Sequence, residues 1–426
     1  MVQKPKGTYD IYGDKSLERL YFRKLVSALM DKYNAKYFET PIFESSELFH
    51  RGVGETTDIV SKETYDFKDR GNRMLTLRPE GTAGIVRCFI ENKLYAESLP
   101  LKAWYMGPMF RYERPQAGRH RQFYQFGFES FGSFDPMMDA EVIGIVTNLF
   151  KLLGLKNISV NINSLGDKES RENYRNALIE YFKPHLDDLC DDCKSRFEKN
   201  PLRILDCKID GEKDIMKGAP KIIDYLNEES KNHFDNVLKY LSALKIDYKV
   251  NPNIVRGLDY YTHTVFEVVA DIKDFGSQNV LAGGGRYNNL VENIGGPSIP
   301  GVGFAVGLER LFLALEKENI DIREINKPDI YIFPASSQQK EYVLSLANYL
   351  RLAGFDVEND YDGKNFKNNF KTADRLGTKF LIIIGEDEVK NKILTVKNNH
   401  TKEEYKVDMD NIIEFLDKKI GDDHED

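Results

Sequence analysis

The segment GPMFRYERPQAGRHRQFYQFGFESF (residues 107–131) decides the fold of this chain and the place of its site. Two strand-like halves flank a Pro-Gln-Ala-Gly turn at 115–118, and this pattern predicts an antiparallel hairpin. Alternation along the second half places Gln125, Gly127 and Glu129 on one face and aromatic side chains on the other. A face with an amide, a glycine and a carboxylate favours a polar ligand.

Cationic and imidazole side chains surround the turn of this hairpin. They are Arg111, Arg114, Arg119, His120 and Arg121. Arginine contacts phosphate through two parallel hydrogen bonds, so the turn is suited to phosphate groups. The alternative is a hairpin with an ordinary solvated face, but such a hairpin would not need this many arginines beside Glu129.

Length and composition limit the possible functions. A chain of 426 residues holds two or three domains, at about 100–200 residues each. Its composition, 41% hydrophobic and 30% charged, is typical of a soluble globular protein, and no apolar run approaches the roughly 18 residues of a membrane helix, so we expect no membrane partner. Four cysteines form no disulfide scaffold and favour a reducing cytoplasm. Because the net charge is −8, any RNA must bind local basic surfaces.

Apolar spacing and turn residues predict the order of elements in the first two thirds of the chain. We expect helices at 17–33, 83–91 and 141–153, and strands near 37–43 (with an edge or bend at Pro41), 75–77, 158–162, 264–269 and 281. Residues 167–242 are rich in charge and in helix-forming residues, so they predict a helical insertion in a sheet. A glycine-rich run at 295–307 leads into a further helix.

The last hundred residues have a different pattern. A polar linker at 318–328 is followed by strand (330–333), helix (339–352), strand (356–359), helix (366–376) and strand (380–384). Alternating strands and helices predict a small α/β domain with a parallel sheet.

Three further segments carry candidate site residues. In Arg-Pro-Glu80-Gly81-Thr82 a carboxylate and a hydroxyl lie at a strand-to-helix turn. Helix capping by Thr82 would explain Gly81 and Thr82, but it would not explain Glu80. The segment 256–262 packs Arg256, an acid and two tyrosines ahead of a strand.

The third candidate is a pair of glycine-rich stretches, 282–287 and 301–310, which run into Arg286 and Arg310. Neither is a dinucleotide or P-loop motif, but glycines here would let a flat base approach the backbone. Arginines thus lie on four separated segments, 111–121, 256, 286 and 310, and no Ser-His-Asp or Cys-His pattern accompanies them. This favours catalysis by positioning and by charge neutralisation at phosphorus.

Together these motifs resemble the histidyl-tRNA synthetases, a class II aminoacyl-tRNA synthetase family, over essentially the whole chain. Residues 37–41 are similar to the family's dimer-interface motif, and 110–116 and 303–310 to the second and third class motifs; 256–261 and 282–287 are similar to the two signatures special to the histidine enzyme. The resemblance implies an α/β (α+β) fold, with a class II antiparallel sheet flanked by helices. It also implies a catalytic domain at 1–320, with the insertion at about 167–242, and a C-terminal α/β anticodon-binding domain at 328–426.

The resemblance implies a two-step activity. Histidine and ATP give histidyl-adenylate and pyrophosphate, and the histidyl group then passes to the 3′ end of tRNA(His). ATP would arrive with Mg²⁺, with no tightly bound cofactor and no metal site, in a cytoplasmic homodimer. Buried hydrogen bonds to both imidazole nitrogens could reject apolar amino acids by about 10⁴-fold, so an editing domain is not needed.

The resemblance also implies roles for single residues. The histidine-binding set is Glu80, Gly81, Thr82, Gln125, Glu129, Tyr260, Tyr261 and Tyr287. Glu80, Thr82 and Gln125 would hold the α-amino group; Glu129 and Tyr261 would bind the imidazole. The ATP-binding set is Arg111, Glu113, Arg119, Arg121, Arg256 and Arg310. Of these, Arg111 and Arg256 would be catalytic, because they would flank the α-phosphate.

Contacts with tRNA are implied in two places. Arg114 and Gln116 match positions where the family meets the acceptor end, including its extra 5′ guanosine. In the predicted helix 366–376 and just before it, Lys364, Lys367, Lys371 and Arg375 form one basic stripe. Such a stripe is often only a solvated face, but in an anticodon-binding domain it would supply phosphate contacts.

Alternatives remain at two levels. Cys190, Cys193, Cys207 and His185 could form a zinc site, although buried or loop cysteines are the more usual interpretation of one C-x-x-C. The regulatory subunit of ATP phosphoribosyltransferase has the same catalytic-type fold, but it usually lacks the anticodon-binding domain and the adenylation motifs kept here. A class II synthetase for threonine or proline is disfavoured by the segment 256–261. Lys6 and His120 depart from the family's commoner residues and affect only loop details.

Overall fold

The computed structural model describes residues 2–54, 57, 59–205, 207, 209–211, 213–254, 258–273, 275, 279–323 and 327–421. The chain divides into two compact units, Met1–Arg323 and Glu324–Asp426. Within the described ranges, no helix combines the length and the apolar character that crossing a membrane requires.

The first unit is built on an antiparallel-rich sheet. Its strands are β1 (Lys36–Tyr37), β2 (Phe43–Ser45), β3 (Tyr65–Lys68), β4 (Met74–Leu77), β5 (Leu101–Phe110), β6 (Gln122–Phe131), β7 (Ile158–Ser164), β8 (Tyr248–Val250), β9 (Thr262–Ala270), β10 (Val280–Arg286) and β11 (Gly301–Gly307). Eight of them form the main sheet in the order β1-β5-β6-β11-β10-β9-β7-β8, and β2-β4-β3 form a small second sheet. The predicted hairpin of 107–131 therefore supplies two central strands, β5 and β6, paired antiparallel.

The helices of this unit are α1 (Asp14–Lys32), α2 (Ser46–Val53), α3 (Thr82–Glu91), α4 (Pro136–Leu152), α5 (Lys168–Phe182), α6 (Asp191–Lys199), α7 (Asp214–Lys217), α8 (Glu228–Ala243), α9 (Leu290–Asn293) and α10 (Leu308–Lys317). Short 3₁₀ or π turns lie at Ile59–Glu63, Leu94–Ala96, Lys183–Asp188, Pro201–Ile204 and Ile222–Tyr225. The predicted helical insertion is confirmed, since α5 to α8 separate β7 from β8.

One large hydrophobic cluster lies on one face of the main sheet. The aromatic face of β6, with Phe126 and Phe128 fully buried, packs with Phe304 of β11. Helices α1, α4, α8 and α10 cover these side chains with their own apolar stripes. Burial of a large apolar side chain stabilises the fold by about 1.5–3 kcal/mol. The opposite, polar face of β6 stays free to line a cavity, as the alternation predicts.

Two predicted elements differ from the structure for local reasons. Helix α4 begins at Pro136 rather than at 141, because the Asp135 carboxylate accepts the Met137 N–H (2.8 Å) and Pro136 occupies the first turn. The strand predicted at 37–43 is two short strands, β1 and β2, in different sheets, with Pro41 between them.

The second unit is a five-stranded sheet with helices on both faces. Its elements are β12 (Ile330–Pro334), α11 (Lys340–Leu352), β13 (Val357–Asn359), α12 (Phe366–Leu376), β14 (Phe380–Ile384), α13 (Glu386–Asn391), β15 (Ile393–Asn398), β16 (Glu404–Asp408) and α14 (Ile412–Gly421). The prediction of a parallel sheet is correct for β13, β12 and β14. It is wrong for β15 and β16, which extend the sheet antiparallel.

Candidate active site

A cleft of about 520 Å³ lies over the polar face of the main sheet. Its walls come from β6, β10 and β11, from α10, from the turn between β5 and β6, and from the residues ahead of β9. Predicted site residues that line it are Glu80, Thr82, Arg111, Glu113, Arg119, Gln125, Glu129, Tyr260, Tyr261, Tyr287 and Arg310. Segments far apart in sequence therefore converge on one cavity.

Glu129 is the buried acid of this cleft, with 1% of its surface exposed. One carboxylate oxygen accepts a hydrogen bond from the Thr82 hydroxyl (2.7 Å) and the other from the Tyr287 hydroxyl (2.5 Å). Burial raises the pKa of Glu129 to about 8, although the two hydroxyl donors act in the opposite direction. Space for the carboxylate exists because its partner on β11 is Gly303, where a Cβ would lie 1.8 Å from Glu129 Oε2.

Tyr105 on β5 is a site residue that the sequence analysis missed. Its buried ring fills the room left by Gly81 and Gly127, where added Cβ atoms would lie 2.1 and 2.2 Å from the ring. Its hydroxyl lies 3.5 Å from a Glu129 oxygen. The signal was the pairing of Tyr105 with Gly127 across the hairpin, which becomes visible only when the register is known.

Glu80 rather than Thr82 caps helix α3. Both carboxylate oxygens of Glu80 accept backbone N–H groups, from Thr82 (2.7 Å) and Ala83 (2.8 Å). The prediction that Thr82 is the cap is therefore wrong. The Thr82 hydroxyl donates its hydrogen bond to Glu129 instead. Burial raises the pKa of Glu80, and the two N–H groups oppose that rise.

Gln125 lies on the cleft face of β6, two residues before Gly127. Its amide oxygen Oε1 is buried and has no hydrogen-bond partner among the described residues. Buried acceptors are almost always paired in native proteins. An unpaired amide oxygen in a cleft is suited to a donor from a ligand.

Three tyrosines form the aromatic wall near Glu129. The rings of Tyr260 and Tyr261 lie 4.6 Å apart, and Tyr260 meets the Tyr287 ring edge-on at 5.6 Å. All three are buried. Burial raises the pKa of Tyr287 well above its usual value, so its hydroxyl remains protonated and donates to Glu129.

Guanidinium groups gather at the other end of the cleft. The Arg111 Nε donates to the Pro79 carbonyl (2.9 Å), and Arg119 lies 3.5 Å from Glu113. Arg310 in the first turn of α10 donates to the Val280 carbonyl (3.3 Å). Burial lowers the pKa of Arg310, and the positive charge of Arg119 lowers it further. The three cations lie near one another and near the carboxylates of Glu113 and Glu267, and this cluster of guanidinium groups is suited to a polyanion.

Other described residues that were predicted to bind ATP or tRNA are not part of the cleft lining. Arg121 is not part of the cleft lining, because its guanidinium stacks 4.0 Å from the Tyr112 ring. Arg114 and Gln116 are exposed and line a shallower depression beside the cleft. Arg256, predicted to be catalytic, lies outside the described residues.

The prediction that Arg286 joins the other arginines is wrong. Its side chain is fully buried, with Nε 3.1 Å from both oxygens of Asp139 and Nη1 2.8 Å from the Ser133 carbonyl. Burial would raise the pKa of Asp139, but Arg286 holds it below its usual range. Arg286 thus ties β10 to α4 and does not line the cleft. Gly284 on the same strand allows close pairing with β11, since a Cβ there would lie 2.2 Å from the Gly303 carbonyl.

Glu309, next to Arg310, anchors the N-terminal segment to the cleft. Its carboxylate accepts the Tyr124 N–H (3.1 Å), the Arg19 guanidinium (2.9 Å) and the Tyr9 hydroxyl. The Tyr9 ring also lies 4.7 Å from the His120 ring at the hairpin turn. One carboxylate therefore joins the chain terminus, β6 and α10.

In the second unit, helix α12 presents the predicted basic stripe. Lys367, Lys371 and Arg375 are exposed, and Lys364 is half-buried just before the helix. The opposite face is fixed by Asn369, which accepts the Tyr331 hydroxyl (2.8 Å).

A family model described as histidyl-tRNA synthetase matches residues 10–311, and one described as anticodon binding domain matches residues 329–419. The histidine–tRNA ligases of Bacillus licheniformis and Bacillus subtilis are each 50% identical to the chain over 413 residues, covering 97% of both partners. A crystal structure of apo histidyl-tRNA synthetase from S. aureus has 42% identity, covers 98% of this chain and 100% of its own, and superposes with a TM-score of 0.83.

Proposed function

The chain belongs to the histidyl-tRNA synthetase family, and from that premise we propose which of its residues carry out each step. It is a histidine–tRNA ligase, which activates L-histidine with ATP and charges tRNA(His). The observation that carries the residue assignment is the cleft itself. A buried acid with tyrosines lies at one end and three arginines lie at the other, and the cleft is also lined by Gln125, whose buried amide oxygen has no hydrogen-bond partner among the described residues.

We assign the imidazole of the substrate to Glu129, Tyr261 and Tyr287. The Glu129 carboxylate already holds two hydroxyl donors, and its remaining lone pairs can accept an imidazole N–H. Because the pKa of Glu129 is about 8, a proton is shared between acid and imidazole near neutral pH at little cost. A site with such buried polar groups discriminates against amino acids that cannot pair with them.

The α-ammonium group fits three acceptors at the head of α3 and on β6. An ammonium has three donors and no acceptor. Gln125 offers its unpaired Oε1, and Glu80 offers lone pairs beyond those used for capping. Thr82 can accept as well, since its only proton is committed to Glu129.

The triphosphate fits the guanidinium cluster. We assign Arg111 to the α-phosphate, together with Arg256, and Arg119 and Arg310 to the rest of ATP. Charge that develops on phosphorus during attack by the histidine carboxylate would be neutralised by these fixed cations. Glu113 and Glu267 line the same cleft and offer the oxygen ligands that Mg²⁺ carried with ATP prefers. Arg121 stays a prediction for ATP; in this structure it stacks on Tyr112.

The remaining proposals concern RNA, assembly and compartment. We assign residues 1–320 to catalysis and 328–426 to anticodon binding, with the α12 stripe on the anticodon arm and Arg114 and Gln116 on the acceptor end. A homodimer is favoured by exposed apolar side chains on the small sheet, Phe43 (52% exposed), Phe67 (41%) and Met74 (45%). Sedimentation of the purified chain tests the dimer, and cell fractionation tests a cytoplasmic location.

Histidine-dependent exchange of pyrophosphate into ATP, measured without tRNA, tests the assignment. Arg310→Gln should lower kcat/KM for ATP about 10- to 100-fold, because a charge-assisted hydrogen bond is worth roughly 1.5–3 kcal/mol. Its KM for histidine should change little. Arg51→Gln is the matched control, since Arg51 pairs with Glu47 on the exposed face of α2 and lies outside the cleft. Equal kinetics in the two variants would remove Arg310 from the nucleotide site.

A further inference from the structure

Three thiols and one carboxylate lie together in the helical insertion, all buried except half-buried Cys190, and the reaction described above does not use them. The group consists of Cys190, Cys193, Cys207 and Asp210, and its four ligand atoms all lie within 4.8 Å of one another. We propose that these residues form a structural zinc site.

Local structure brings the four residues together from two places in the chain. Cys190 is the N-cap of α6 and Cys193 lies in its first turn. Cys207 and Asp210 lie in the turn that follows the 3₁₀ segment Pro201–Ile204. The sequence analysis paired the cysteines with His185, but Asp210 takes the fourth position, and the His185 ring lies against the Tyr181 ring (5.9 Å between centroids).

The spacing of the ligand atoms suits a tetrahedral ion. Two sulfurs bound at about 2.3 Å to one tetrahedral zinc lie about 3.8 Å apart. The Cys190 and Cys207 sulfurs lie 3.7 Å apart, and the Cys207 sulfur lies 3.9 Å from Asp210 Oδ2. Thiolate with one carboxylate is a donor set that favours Zn²⁺ over Mg²⁺ or Ca²⁺, which prefer oxygen only.

The carboxylate distinguishes a metal site from an ordinary core of reduced cysteines. Asp210 is fully buried beside three sulfurs, and a buried carboxylate needs partners for both of its oxygens. Its Oδ2 accepts the Cys190 N–H (2.9 Å), and its own N–H points at the Cys207 sulfur (3.4 Å). Lys213 lies 2.7 Å from the other oxygen. Outer partners of this kind orient ligands in zinc sites.

The site would hold the insertion together rather than take part in catalysis. None of the four residues lines the cleft. Cys193 and Cys207 belong to the insertion's own hydrophobic cluster, which includes Tyr174, Leu178 and Phe182 of α5. A bound zinc would lock α6 to the turn at 207–210 and add to a small core.

Metal content of the full-length protein tests the proposal. Protein purified with reductant and no chelator, loaded with Zn²⁺ and desalted, should retain about one zinc per chain. Cys193→Ser should lose it, whereas Cys88→Ser should keep it, because Cys88 lies on α3 outside the group. Asp210→Asn should weaken zinc binding at least about tenfold in competition with a chromogenic chelator.

Cobalt substitution of the wild-type protein keeps the test valid if a cysteine variant fails to fold. Co²⁺ bound by thiolates at a tetrahedral site gives a sulfur-to-metal charge-transfer band and intense visible bands. Their appearance supports the site. Zinc-loaded protein that retains no metal, metal retention unchanged in Cys193→Ser, or a Cys190–Cys207 disulfide in freshly reduced and desalted protein would each overturn the proposal.

Discussion

Replacement of Glu129 by glutamine should make the free protein more stable while it impairs histidine activation. Burial raises the pKa of Glu129 to about 8 from its ordinary 4.5, so the folded protein holds a neutral acid at neutral pH while the unfolded chain ionises. Glutamine has nearly the shape of the neutral acid and ionises in neither state. The substitution therefore removes the advantage that ionisation gives to the unfolded chain.

The size of the effect follows from the pKa difference and depends on pH. The stability contributed by the raised pKa is complete below pH 4.5 and is lost as pH rises through 8. At 1.36 kcal/mol per pKa unit, the variant should gain nothing near pH 4.5, about 3 kcal/mol at pH 7 and about 5 kcal/mol at pH 9. Activation should move the other way, with kcat/KM for histidine about 10- to 100-fold lower. A glutamine amide cannot share a proton with the imidazole, so the charge-assisted hydrogen bond of the histidine complex is lost.

Urea unfolding followed by tryptophan fluorescence measures the gain. Trp104 is the only tryptophan of the chain, is buried on β5 and pairs with Phe128, the neighbour of Glu129, so the signal reports on the unit that holds the cleft. Asp139→Asn is the matched control. Its carboxylate pairs with buried Arg286, so its loss should destabilise the protein by about 3–5 kcal/mol.

Two outcomes would refute the raised pKa of Glu129. A stability difference between wild type and Glu129→Gln that is the same at pH 5, 7 and 9 would mean that Glu129 is ionised in the folded protein across this range, as it is in the unfolded chain. If the variant is less stable than wild type at pH 9, the fold stabilises the ionised form of Glu129.

Three further predictions use other parts of the chain. Gly81→Ala should destabilise the protein by about 1–3 kcal/mol and lower pyrophosphate exchange, because its Cβ would lie 2.1 Å from the Tyr105 ring; chemical denaturation and exchange kinetics would check it, and unchanged values would contradict the packing. Arg256→Ala should abolish adenylate formation and leave histidine binding, measured by calorimetry, largely intact; exchange near the wild-type rate would count against its role. Lys367→Ala with Lys371→Ala should raise the KM for tRNA and flatten its salt dependence while tRNA-independent exchange stays normal; an unchanged KM would indicate a merely solvated face.

The polar face of β6 could be predicted from sequence because strand alternation is strict. Gln125 and Glu129 line the cleft, and Phe126 and Phe128 lie in the core, as the period of two requires. The length and type of α12 were equally clear, since its apolar stripe is regular.

Arg286 could not be separated from the cleft arginines by sequence, because its role depends on Asp139, 147 residues away. In the amino-acid sequence, an arginine that binds a ligand and an arginine that has a structural role look the same when glycines precede them. Tyr105 was missed for a related reason, since the gaps left by Gly81 and Gly127 are formed by tertiary contact. Asp210 follows Cys207 by three residues, a spacing that is a weak sign of a metal ligand. The sequence analysis placed His185 in the fourth position instead.

The contacts of the Glu309 carboxylate matter when the N-terminal residues are truncated or tagged. Tyr9, Arg19 and the Tyr124 N–H all donate to this carboxylate, and its neighbour Arg310 lines the cleft. Trimming the leading dozen residues would therefore remove the Tyr9 contact from this wall of the cleft and leave the other two. An affinity tag is therefore better joined through a spacer before Val2. A truncated protein made for crystallisation should keep Tyr9.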